Sequence, residues 1–160
     1  MTPQTPIAAN DREGTLSIIV DFLTSLGLAP EYVTLEEPTF LPGIKIVKGR
    51  IHIDRERMAY PGDLLHEAGH IAVVPSEERE GLTGNIDRGP GDEMGAIAWS
   101  WAALTYLELP PKVVFHKDGY DGGSESLIRA FRFGGRLGVP LLQWMGLAAE
   151  FPKMKRWLRE

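Results

Sequence analysis

The sequence predicts an α+β fold that is mostly α, a set of helices with one small sheet. Two observations carry this. Apolar residues recur at helical spacing in several segments, and a single stretch, 44–54, alternates apolar and polar residues as a strand pair does. The length of 160 residues is enough for one buried core without disulfides or another staple.

The elements follow in chain order. Residues 1–10 hold Pro3 and Pro6 and little apolar surface, so they are expected as a loose tail, with a single domain over 11–160. In 11–26, Leu16, Ile19, Val20, Leu23 and Leu26 fall on one helical face. Asn10 or Asp11 can cap that helix and Gly27 can end it. Pro30, Pro38 and Pro42 make 28–43 a connector or edge. Ile44 and Ile46 alternate with Lys45, and Ile51 and Ile53 with His52, around Lys48-Gly49. This predicts a hairpin of 44–47 and 50–54 with one buried face.

Pro61 suits the first turn of a helix that stops before Pro75. Residues 75–91 read as a polar, glycine-rich loop, long enough to be functional. The stretch from Asp92 to Leu109 is apolar nearly all round, which suits a buried central helix. A helix over 124–133, an apolar helix from Pro140 to Ala149 and a short basic helix after Pro152 complete the expectation. The apolar stretch 137–149 serves as core or as a surface for a homo-oligomer.

Composition narrows the function. With no cysteine there is no thiol nucleophile, no disulfide framework and no cysteine-type zinc finger. A net charge of −5 argues against nucleic acid as the main partner. No apolar run is long enough to span a membrane, and the N-terminus lacks a signal-peptide pattern, so a cytoplasmic location is expected.

One constellation carries chemistry. Residues 66–70 read His-Glu-Ala-Gly-His, so His66 and His70 project from the same helix face one turn apart and can share one small cation. Glu67, beside the first imidazole, can reach a metal-activated water as general base. A catalytic zinc site wants a third protein ligand. It is not cysteine, and Val73 and Ser76 occupy the positions where a downstream Gly and His would stand in the longer three-histidine motif. A carboxylate or a distant histidine remains. Glu93, opening the apolar helix, is the first choice because a carboxylate in such surroundings needs a partner; Asp92 and His116 stay open. A donor for the developing oxyanion could come from Tyr60, Tyr106, His116 or Tyr120. Gly119, Gly122 and Gly123 around Tyr120 make 116–126 either a substrate-site lid or a turn-rich connector.

The HEAGH run, with the strand IHID before it and the helix EMGAIAWSWAAL after it, resembles zincin metallopeptidases of the glutamate-ligand kind. It is similar to small intracellular zincins of the ImmA/IrrE type over about residues 44–108. The resemblance implies a zincin-like helix pair, zinc held by His66, His70 and Glu93, and Glu67 as general base and acid. It also implies an extended peptide substrate pairing with the strand that holds Ile51, His52 and Ile53, with Tyr120 a further substrate contact. It departs at Ile97, where such zincins often place an aspartate that orients a histidine.

The expected function is therefore a small zinc-dependent hydrolase, a metallopeptidase acting on a peptide or protein. The alternative is a non-catalytic metal-binding regulatory or interaction module on the same fold. An open site of two histidines and one carboxylate also suits iron(II), but the helical motif favours zinc.

Overall fold

The computed structural model describes residues 11–160, and the tail expected over 1–10 lies outside the described residues. The fold is α+β and mostly helical. The first helix, α1 (Arg12–Ser25), begins where the Asp11 carboxylate accepts a hydrogen bond from the Gly14 N–H at 3.1 Å. It buries Leu16, Ile19, Phe22 and Leu23. This apolar face supplies the stability that helix propensity alone does not.

The hairpin forms as its alternation requires. Strands β2 (Ile44–Val47) and β3 (Arg50–Ile53) pair antiparallel across Lys48 and Gly49, both in the left-handed region at φ 50° and 75°. That turn matches the right-handed twist of the strands it joins. Ile44, Ile46, Ile51 and Ile53 all face the core. A third strand, β1 (Glu31–Tyr32), was expected only as connector or edge. It pairs parallel with β3 and gives the sheet order β1-β3-β2.

The helix pair that matters is α2 (Asp63–Ala72) and α3 (Pro90–Tyr106). Their close approach rests on small residues. A Cβ at Gly69 would lie 2.8 Å from the Ala96 carbonyl oxygen, closer than any side chain tolerates. Trp99 and Trp101 lie in the core, and Trp99 Nε1–H donates to the Trp157 carbonyl at 2.8 Å. The connector between the two helices contains a short 3-10 turn, Ser76–Gly81, within the expected loop.

The C-terminal third differs from expectation. Helix α4 (Ser124–Arg132) is as predicted, but α5 (Val139–Trp144) ends well before Ala149, and Gly146 turns the chain at φ 77°. The segment after Pro152 is not a helix. Its backbone is held by distant groups: Lys155 N–H donates to the Leu147 carbonyl at 2.7 Å and Arg159 N–H to the Ala72 carbonyl at 2.9 Å. Trp157 packs edge-on against both Phe22 and Trp99. Val139, Leu142 and Leu147 belong to the core, which leaves Leu137 and Trp144 as the exposed apolar side chains of 137–149. No helix among the described residues is long and apolar enough to cross a membrane.

Candidate metal centre

Helix geometry brings the site together. One turn of α2 sets His66 and His70 on the face that meets α3. Pro90 starts α3 so that its first turn carries Glu93 to the same point. His70 Nε2 lies 2.9 Å from Glu93 Oε2 and 3.2 Å from His66 Nε2, and His66 Nε2 lies 3.7 Å from Glu93 Oε1. All three residues offer a ligand atom within 4.8 Å of the others. Donors on a tetrahedral zinc, each about 2.0–2.1 Å from the ion, stand about 3.3 Å apart. The observed separations bracket that value, so these residues fit zinc with only small side-chain shifts.

Burial, reinforced by neighbouring His70, pushes the His66 imidazole well below its ordinary pKa. The hydrogen bond from His70 holds the Glu93 carboxyl below the usual range. Burial pushes Glu67 up to about 7, with Asp63 and Glu93 adding to the effect and His70 opposing it.

Glu67 therefore titrates where a stability measurement can see it. Its folded pKa, about 7, exceeds the ordinary 4.5, so the fold favours the neutral acid. The stabilisation is complete below about pH 4.5 and is lost as pH rises to about 7, by about 2–3 kcal/mol. In the metal-free protein, Glu67→Gln removes this dependence. Urea denaturation should show the variant gaining about 2 kcal/mol on the native protein between pH 5 and pH 8. A difference that stays flat over that range rules out a buried, neutral Glu67.

The remaining candidates are placed as follows. Asp92 pairs with Arg88 at 3.1 Å, outside the cluster. His116 Nε2 lies 2.7 Å from the buried Asp63 Oδ1, and His116 Nδ1 accepts the Asp118 N–H at 3.3 Å. Both imidazole nitrogens are thus committed away from the cluster. Tyr60 stacks on His116 and bonds the Asp118 carboxylate. Tyr106 packs on Phe22 and Trp157 at the other end of α3, about 20 Å along the helix from Glu93. Tyr120 is not a lid residue over the site. Its hydroxyl lies 2.8 Å from His66 Nδ1, behind the imidazole.

The strand that holds Ile51, His52 and Ile53 lies inside the sheet. β3 is the central strand, flanked by β2 along its length and by β1 at His52 and Ile53, and Val33 N–H donates to the Ile53 carbonyl. Ile51 and Ile53 are core residues, and His52 sits 3.5 Å from the Glu31 carboxylate. The sheet edge beside the site is β2. There Gly84 N–H donates to the Ile46 carbonyl and Ile44 N–H to the Leu41 carbonyl. Ladder alternation turns the Ile44 carbonyl and the Ile46 N–H outward. Ile44 borders a cleft of about 450 Å³ lined also by residues 34–41, Lys45, Glu67, Gly84 and Asn85, while Ile46 is wholly buried. Sequence reasoning missed Asn85 and the 34–41 wall, because neither carries a motif. A larger cavity of about 660 Å³ is lined by Tyr60, Phe115, His116 and Ser124 among others; neither hollow is lined by His66, His70 or Glu93, and Glu67 lines the smaller one.

Comparison of the chain with models of known protein families, with curated proteins and with solved structures found no match.

Proposed function

We propose that the protein is a zinc-dependent hydrolase that cleaves peptide bonds. The observation that carries this reading is the convergence of His66, His70 and Glu93 beside Glu67, which also lines an open cleft. The HEAGH motif and its resemblance to zincins point the same way. Zinc, when bound, supplies a Lewis acid that polarises a carbonyl and acidifies a water near neutral pH.

The chain supplies the rest. His66, His70 and Glu93 leave one tetrahedral position open. Glu67 takes a proton from the attacking water and returns it to the leaving nitrogen. A nearby cation favours the charged carboxylate, which readies Glu67 as a base. The outward Ile44 carbonyl offers an extended peptide a backbone acceptor at the sheet edge. The Asn85 amide and the Lys45 ammonium line the same cleft and are side-chain donors that can meet a carbonyl oxygen there.

The test is incubation of the zinc-loaded protein with a library of unstructured peptides, read by mass spectrometry. Chelator-sensitive cleavage is expected. A library left intact by fully loaded protein overturns the hydrolase. One observation favours the second reading, a metal-stabilised binding module: the polar groups of Tyr60, His116 and Tyr120 are all committed within the protein, so none is free to steady an oxyanion. That module would bind zinc and gain stability without cutting any peptide.

A further inference from the structure

We propose that Tyr120 is a positioning residue for the metal centre: its phenol fixes the tautomer of His66 so that Nε2 presents a bare lone pair to a cation. The proposal rests on the reading of His66 as a ligand and goes beyond it, because Tyr120 touches no cation itself.

Two neighbours of the His66 ring set its tautomer, Tyr120 at Nδ1 and His70 at Nε2. His66 Nδ1 and the Tyr120 hydroxyl are 2.8 Å apart, and either could donate. Only one arrangement leaves Nε2 unprotonated, and that is Nδ1–H donating to the phenol oxygen. In that arrangement the Tyr120 oxygen accepts from His66.

The other side of the ring agrees. His70 Nε2 faces both Glu93 Oε2, at 2.9 Å, and His66 Nε2, at 3.2 Å. Two N–H groups cannot point at each other at that distance. With Nε2–H of His70 donating to Glu93, a bare His66 Nε2 is the arrangement without repulsion. Ligating imidazoles are held in this way by a group on the second nitrogen, and loss of that group costs about 10–100-fold in metal affinity.

The backbone also bears the cost of placing this phenol. Tyr120 and Asp121 sit in the left-handed region at φ 55° and 53°, which a bulky side chain such as tyrosine rarely adopts. Phe115, 5.1 Å away between ring centroids, packs against the Tyr120 ring and holds it over the histidine. Strain of this kind persists where surrounding structure fixes a residue for a purpose.

Tyr120→Phe keeps the ring and removes only the hydroxyl. Two readouts are taken on the full-length protein. Zinc affinity, by competition with a chromophoric chelator, should weaken about 10–100-fold. The ring-nitrogen shifts of His66, by NMR on the metal-free protein, should show the Nδ1–H tautomer in the native chain and a mixture in the variant. An unchanged tautomer in Tyr120→Phe overturns the proposal, even if affinity and melting temperature both fall, because that pattern marks a purely structural loss. Native zinc binding that the variant matches within about twofold overturns this role alone. A native protein that takes up no zinc removes the reading of the centre as well.

Discussion

Zinc added to the metal-free protein should bind one to one and raise its Tm by about 8–16 °C at a free concentration near 1,000 times the Kd. The size follows from linkage. Binding to the folded state alone stabilises it by about 4 kcal/mol at that ratio, and in a chain of this size each kcal/mol moves Tm by about 2–4 °C. His66→Ala, His70→Ala and Glu93→Ala should each abolish both the stoichiometric uptake and the Tm rise. The variants separate the ligands from their neighbours. Asp92→Ala should leave zinc uptake intact, since that carboxylate pairs with Arg88. His116→Ala should also keep stoichiometric zinc, because its imidazole is bound to Asp63. Glu93 is 44% exposed, so removing it should cost the metal-free protein little, and its effect should appear only on the zinc-dependent part. Full affinity in Glu93→Ala would place the third ligand elsewhere. Elemental analysis of protein purified without added metal tells whether zinc or iron(II) fills the site.

The parts of this site that are local in sequence were legible, and the parts that depend on distant chain segments were less so. His66, Glu67 and His70 sit on one turn, so helical spacing alone aligns the two imidazoles. Glu93 needed a tertiary argument, that a carboxylate opening an apolar helix wants a partner. That contact depends on α2 and α3 approaching closely: small Gly69 on α2 signals that some element packs there, and the structure shows it is α3 at Ala96. The hairpin was legible because Lys48-Gly49 and the isoleucine alternation specify it locally. β1 was not, since two residues carry no period and their pairing with β3 is set by tertiary packing.

The C-terminal run KMKRWLRE shows the opposite failure. It has helix-forming residues but only eight of them, too few to overcome helix nucleation. Non-local bonds to Leu147 and Ala72, and the packing of Trp157 between Phe22 and Trp99, draw it into an extended path instead. The place of each hairpin strand in the sheet is non-local for a related reason. Alternation identifies a strand but not its place in the sheet, and β3 proved central while β2 holds the edge beside Glu67. Tyr120 was noticed for its glycine-rich surroundings, yet the left-handed turn that carries its hydroxyl to His66 has no sequence period at all.

Glu67→Gln should keep zinc and lose turnover. Glu67 is not one of the three residues whose ligand atoms converge, so its amide analogue leaves the ligand set whole. It does remove the only carboxylate that lines the cleft from α2, and with it the group that moves a proton from water to the leaving nitrogen. General base and acid roles of this kind are worth about 10²–10⁴-fold, or about 3–5 kcal/mol of barrier. The loss should fall on kcat with KM little changed, because glutamine is nearly isosteric and the strand edge that would hold a peptide is untouched. The control is zinc content, which should match the native protein; a variant that loses zinc as well would make the activity loss uninformative about proton transfer, and Glu67→Asp, which retains a carboxylate one methylene short, then decides the role by partial recovery. Peptide cleavage retained at native rate in a zinc-loaded Glu67→Gln would remove Glu67 as the base. Cleavage lost together with the pH 5 to pH 8 stability change would tie the chemistry to the same buried carboxyl.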